Sequence, residues 1–300
     1  MRDPPHRLFR LRRWLAALLF VTAAVACIGA MRAYFSTRQL VASAPAAAVL
    51  DHPAETGVPQ LTDVRFAGSG GARLAAWYVP SRNGAAVVVA HGTNSDRSAM
   101  LPEVHLLADA GFGVLAFDWP GLGASPGVVR WDAGAKQALG AAVEFLARQP
   151  GVDPQRLGGL GFSMGAFIMT RFAAGDTRLR ALVLEGTPAS YEEYLDIHYR
   201  RFGALSRMPA AWGLQGSGLP GLPNAPVNLI GALAPRPLLI IAGAEDRIIP
   251  PVMARELFAA AREPKSLWLV PGAGHGGYAS AAATTYSERV SGFFTRALLD

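Results

Sequence analysis

One cysteine, Cys27, stands in 300 residues. A single thiol permits no intramolecular disulfide, so the fold does not rest on bridges, and the part of the chain after residue 27 has no cysteine nucleophile or cysteine-bearing metal cluster. The histidines are as thinly spread: His6, His52, His91, His105, His198 and His275 form no His-x-x-x-His or His-Glu-x-x-His pair, which argues against a catalytic metal. Neither a Gly-x-Gly-x-x-Gly opening a first βα unit nor a Gly-Lys-Ser/Thr phosphate loop occurs, which argues against dinucleotide and nucleotide cofactors, and no cofactor is expected. Charge is sparse at 17% of residues against 51% hydrophobic. The formal net charge of +6 sits mostly in Arg2, Arg7, Arg10, Arg12 and Arg13. With no long Lys/Arg run and no zinc-finger or RNA-binding signature further on, nucleic acid is not an expected partner.

Those arginines precede an uncharged, strongly apolar run, Trp14 to Met31, 18 residues of mostly Ala, Leu and Val. As a helix it just spans a hydrocarbon core. Only Arg32 and Arg38 follow closely, so the positive-inside rule puts segment 1–13 in the cytosol and everything after 14–31 on the extracytoplasmic side. Residues 32–60, Ala/Pro-rich from Val41, read as a tether. Two other fates fit the run: a signal peptide cleaved after Ala24-Val25-Ala26, leaving a secreted or periplasmic protein, and a lipoprotein acylated on Cys27, although Ala24 stands where Leu is usual. A twin-arginine signal at Arg12-Arg13 has poorly matching neighbours.

Residues 61–300 suffice for one α/β domain with a large core. Strand-like segments at 62–67, 73–79, 85–90, 113–118, 156–162, 179–185, 237–243 and 265–270 alternate with helical ones at 101–110, 133–148, 252–261 and 285–299. The strands at 85–90, 113–117 and 237–243 are continuously apolar, as strands buried on both faces are. The expected fold is therefore a doubly wound, mostly parallel sheet flanked by helices, with its site at the carboxyl ends of the strands.

Three loops after such strands carry chemistry. Gly161-Phe162-Ser163-Met164-Gly165 lies between an apolar strand and the helix-like run Ala166 to Thr170, the context of a nucleophile elbow. Asp246 follows the strand Pro237 to Gly243, and His275 lies in the Gly-rich loop after Lys265 to Val270. Ser163 as nucleophile, His275 as general base and Asp246 as its orienting acid supply what acyl transfer needs. Upstream, Ala85 to Ala90 runs into His91-Gly92-Thr93-Asn94, and Gly113 to Phe117 runs into Asp118-Trp119-Pro120-Gly121-Leu122-Gly123-Ala124-Ser125.

From about Leu61 onward these stretches resemble the α/β-hydrolase superfamily, in which a His-Gly commonly follows the third strand and an Asp-x-x-Gly-x-Gly-x-Ser loop the fourth. The order Ser163, Asp246, His275 is that fold's order. The likeness is to its esterases, lipases and serine-aminopeptidase-like hydrolases, and the motifs do not choose among them. The resemblance implies that the backbone N–H groups of Met164 and Thr93 form the oxyanion hole. Asp118 is expected to hold its loop through side-chain to backbone bonds. His91 either braces a loop or reaches the substrate pocket.

Between Thr187 and Ala234 no sheet element is legible. A gap that long in a compact domain is usually functional. Insertions at this position in the family form a cap, so 188–234 reads as a small lid, with Tyr191, Tyr194 and Phe202 on an apolar underside; the alternative is a structural helical excursion. The expected activity is hydrolysis of a small-molecule carboxylic or lipid ester through an acyl-enzyme. Two other readings stay open: an aminopeptidase for short peptides, with Glu192-Glu193 receiving a free amine, and a membrane-tethered binding protein that kept the fold without the chemistry.

Overall fold

The computed structural model describes residues 5–41, 56–68, 71–128, 130–200, 203–215, 217–219 and 222–300. Residues 1–4 of the basic segment, 42–55 of the expected tether, and 201–202, 216 and 220–221 of the expected cap, Phe202 among them, lie outside the described residues. The chain divides into two units, one of Met1–Leu40 with Leu195–Gln215 and the other of Val41–Tyr194 with Gly216–Asp300.

In the larger unit the elements run β1 (Thr62–Ala67), β2 (Arg73–Val79), β3 (Ala86–Ala90), α2 (Leu101–Asp109), β4 (Gly113–Phe117), α3 (Ala133–Ala147), β5 (Leu157–Phe162), α4 (Met164–Ala173) and β6 (Leu179–Glu185). Further along the chain come α7 (Pro226–Leu229), β7 (Leu238–Gly243), α8 (Pro251–Ala260), β8 (Lys265–Val270), α9 (Tyr278–Ala281) and α10 (Ala283–Leu298). The strands form one eight-stranded sheet in the order β1-β2-β4-β3-β5-β6-β7-β8. From β4 to β8 every pairing is parallel. β1 and β2 are the exception: they pair antiparallel, and β2 runs antiparallel to β4.

The continuous apolar reading of the strands has its reason in two covered faces. Val87, Val89, Val114, Leu160, Ala181 and Val183 point to the side packed by α2 and α10. Their neighbours Val88, Leu115, Leu182 and Ile240 are equally sealed, each 0% exposed. Side chains alternate across a strand, so both faces must lie under helices. Local signals set helix starts, as at α3, where the side chain of Asp132 accepts from Gly134 N–H at 2.8 Å. The loops at the carboxyl ends of β3, β5, β7 and β8 are those that carry His91, Ser163, Asp246 and His275.

The smaller unit is helical. α1 (Pro5–Val41) runs 37 residues, beyond both ends of the 14–31 apolar segment, and so measures about 55 Å. Its stretch Arg12–Gln39 is long and apolar enough to cross a membrane. Trp14, Leu18, Leu19, Phe20 and Val25 point outward, while Ala33 and Thr37 are buried. α5 (Tyr191–Tyr199) starts in the larger unit and ends in this one, followed by α6 (Ala204–Leu214). The Thr37 hydroxyl donates to the Ala210 carbonyl at 2.7 Å. Gly213 makes the approach possible, since a Cβ there would stand 2.4 Å from Tyr34 O.

Candidate active site

Ser163 occupies the tight turn between β5 and α4 with φ 52° and ψ −116°, a conformation strained for any residue with a side chain. Two backbone bonds hold it there. Its N–H donates to Glu185 O at 2.7 Å, and its carbonyl accepts from Phe167 N–H at 3.0 Å, opening α4. Space is the second requirement. A Cβ on Gly165 would lie 2.2 Å from Ala90 O and 2.7 Å from His91 O, so only glycine lets the first turn of α4 press against the end of β3.

The three residues expected to act together are brought together. His275 Nε2 stands 3.0 Å from Ser163 Oγ, and His275 Nδ1 stands 2.7 Å from Asp246 Oδ2. Asp246 is fixed in turn by Ile248 N–H and Ile249 N–H, each donating to Oδ1 at 2.8 Å. With its carboxylate buried and both oxygens engaged, Asp246 imposes one orientation on the ring: Nδ1–H toward the acid and the Nε2 lone pair toward the serine hydroxyl. Phe162 packs on the other side of the imidazole, ring centroids 4.9 Å apart. Glu245, the neighbouring carboxylate, is exposed.

Met164 is the first residue of α4, where backbone N–H groups have no partner within the helix. Thr93 lies on the loop after β3, half-buried. That loop adjoins the serine, for a Cβ placed on Gly92 would stand 3.1 Å from Ser163 Cβ. His91 braces this loop. It is fully buried, its Nδ1 is 2.8 Å from Gly92 O, and its Nε2 accepts from Trp119 N–H at 3.4 Å. Burial holds its imidazole below the ordinary 6.5, with the nearby Asp118 opposing, so the ring stays neutral and donates from Nδ1.

Asp118 holds the two loops after β3 and β4. Its Oδ1 accepts from Arg97 N–H at 2.8 Å, its Oδ2 accepts from Ala124 N–H at 2.8 Å and pairs with the Arg97 guanidinium, and its carbonyl accepts from Ser125 Oγ at 2.8 Å. Arg97, which also lies over the Trp77 ring, had no signal in the sequence, because its partner is 21 residues away. A second group was equally hidden. The Tyr286 hydroxyl lies 2.6 Å from Glu185 Oε1 and 3.1 Å from Glu103 Oε1, all three buried. Burial, then repulsion from Glu103, pushes the Glu185 carboxyl well above its usual range, and burial raises Glu103. Glu185 thus turns away from His275 and supports the serine only through its backbone. Tyr191, the first residue of α5, packs its ring 5.2 Å from that of Phe167, with its hydroxyl 3.7 Å from Met164 Sδ.

A mostly parallel eight-stranded sheet between helices, with a strained strand-to-helix serine, defines an α/β-hydrolase. The family model described as Alpha/beta hydrolase family matches residues 87–288, and the chain belongs to that family. Its similarity to Uncharacterized protein YfhR of Escherichia coli O157:H7 is 32% identity over 244 residues, 78% of this chain and 81% of that one. Among solved structures, an esterase of Pyrococcus furiosus, Pf2001, superposes with a TM-score of 0.71 at 21% identity, covering 86% of this chain and 98% of the esterase. A puromycin-hydrolyzing peptidase of Mycobacterium tuberculosis gives a TM-score of 0.64 at 18% identity over 79% of this chain and 39% of the peptidase. At these identities the two structures speak for the fold alone.

Proposed function

We propose that the protein is a serine hydrolase that cleaves carboxylic esters through an acyl-enzyme. The observation that carries this reading is the unbroken chain from Ser163 Oγ to His275 at 3.0 Å and on to Asp246 at 2.7 Å. As Ser163 Oγ attacks the ester carbonyl, its proton passes to His275 Nε2, and Asp246 stabilises the imidazolium and keeps Nδ1 protonated. The N–H groups of Met164 and Thr93 receive the oxyanion, each such donor being worth about 3 to 4 kcal/mol in the transition state. His275 then protonates the departing alkoxide, the C–O bond breaks, and water repeats the sequence on the acyl-serine to release the acid.

In this reading α1 anchors the protein in a membrane, with the N-terminal arginines in the cytosol and the catalytic domain, residues 61–300, on the extracytoplasmic side. The residues between α1 and Gln60 serve as the tether, and 188–234 serves as the cap. A second reading, hydrolysis of short peptides from a free amino end, draws on Glu192, whose Oε2 is buried with no hydrogen-bond partner among the described residues.

The test is a fluorescent fluorophosphonate applied to membranes carrying the wild type or Ser163→Ala. Labelling of the wild type alone supports an activated serine, after which p-nitrophenyl esters and aminoacyl naphthylamides separate the two substrate classes. A folded wild type that stays unlabelled sinks the proposal.

A further inference from the structure

α6 is apolar on both sides. One face, Ser206, Pro209, Ala210 and Gly213, is buried, with Ala210 and Gly213 set against the last turns of α1. The other face, Ala204, Leu205, Met208, Ala211 and Trp212, follows the i, i+1, i+4, i+7, i+8 rhythm of a helical stripe. Its large members lie in the open: Leu205 is 65% exposed, Met208 49% and Trp212 51%. Ile197, on α5, adds another exposed apolar side chain. A water-facing helix would carry charge here, and the one charged residue of α6, Arg207, is instead paired with Asp196 at 2.5 Å.

We infer that α6 is a membrane-docking surface, and that its occupant is the boundary between headgroups and acyl chains in the leaflet through which α1 leaves the bilayer. The inference rests on the membrane reading of α1 given above. Continuity with α1 carries it. Leu205 and Tyr199 line one cavity of about 460 Å³ together with Val25, Ala26 and Gly29, which belong to the uncharged run of α1. If those α1 residues lie at bilayer depth, the first turn of α6 lies beside them. At the other end of α6, Gly213 meets Tyr34 and Arg38, up to seven residues past Met31, about 10 Å along the helix axis and so near headgroup level. Trp212 stands at that end, where Trp side chains favour membrane interfaces. Arg32, Arg38 and Arg200 are exposed and suit anionic headgroups.

One consequence concerns the substrate. α5 starts at Tyr191, in contact with Met164 and Phe167 beside the elbow, and its last residues belong to the unit that holds α6. An ester presented from the bilayer, an amphiphile with a long acyl chain, is therefore the class we assign to the site.

Two measurements on the full chain test this. In a Cys27→Ser background reconstituted in phosphatidylcholine/phosphatidylglycerol vesicles, Leu19→Cys, Met208→Cys and Glu256→Cys are each labelled with an environment-sensitive fluorophore. The expected result is a blue-shifted signal quenched by brominated lipid at positions 19 and 208, and a water-like signal at 256. Quenching at 19 with a water-like signal at 208 overturns the docking surface and leaves the anchor standing; water-like signals at both overturn the anchor and the docking together. The second measurement compares Leu205→Ser/Met208→Ser/Trp212→Ser with wild type on a long-chain ester held in vesicles and on a soluble short-chain ester. The ratio of the two rates should fall at least about tenfold while fluorophosphonate labelling persists. An unchanged ratio overturns the substrate assignment, and a detergent-stable dimer that the triple variant abolishes, with no lipid quenching at 208, replaces the bilayer by a second copy of this chain.

Discussion

The backbone N–H of Ser163 donates to the carbonyl of Glu185 at 2.7 Å, so the strained turn hangs from a residue whose own carboxyl is buried against Tyr286. The β6 backbone aims the serine, while the acid that addresses His275 comes from the loop after β7.

Ser163→Ala should lower ester turnover by a factor on the order of 10⁴ or more with little change in melting temperature, because the hydroxyl is half-exposed and packs little. Asp246→Asn should cost about 10⁴ in kcat, since an amide at Oδ2 favours the wrong imidazole tautomer. Hydrolysis of a p-nitrophenyl ester, read beside a thermal melt, checks both. A near-normal Asp246→Asn would remove the acid from the mechanism.

Gly165→Ala places a methyl 2.2 Å from the Ala90 carbonyl, which is backbone in the middle of the sheet and cannot move aside. Destabilisation of about 1 to 3 kcal/mol is expected, with a larger relative loss of activity as the elbow shifts. Chemical denaturation together with kcat/KM measures the two effects.

Arg97→Met strips the Asp118 carboxylate, fully buried, of its charged partner and leaves only N–H donors from Arg97 and Ala124. A loss of about 3 to 5 kcal/mol in stability follows from an uncompensated buried charge. Asp118 does not reach His275, so fluorophosphonate labelling of the folded fraction should persist. Loss of labelling at retained stability would give this pair a direct part in the chemistry.

The carboxyls of Glu185 and Glu103 share Tyr286, and burial raises both above the ordinary value of 4.5. Below that value both the folded and the unfolded chain keep the two protons, and the pair contributes no pH dependence. As pH rises past it, the unfolded chain releases its protons first, so stability falls until the raised folded values are passed. Glu103→Gln keeps the shape, removes one carboxyl and ends its repulsion of Glu185. Denaturation at pH 5, 6, 7 and 8 should show a shallower decline for the variant than for wild type; parallel curves would show that the pair is not the source.

Much of the fold was legible along the chain, for a physical reason. Strands covered on both faces are continuously apolar, and the helices between them end at local signals, so βα alternation and a mostly parallel sheet follow from segments of five to fifteen residues. The antiparallel placement of β2 against β4 was not legible, because a strand's direction there depends on a partner far along the chain. The elbow was visible because its requirements, small residues around a serine between strand and helix, fall within five positions.

What the sequence by itself determined is the set of chemical groups and their order: a serine at a tight turn, an acid and a histidine each just past a strand, and an N-terminal apolar run behind five arginines. Only the tertiary structure decided which distant groups touch. It set Arg97 on Asp118, joined Glu103, Glu185 and Tyr286 over separations of up to 183 residues, and placed Thr37 against Ala210, 173 residues apart. It also decided which apolar face of α6 is buried and which, with Leu205, Met208 and Trp212, is exposed among the described residues, since composition reports that a helix is apolar while burial depends on what the rest of the chain brings to each side.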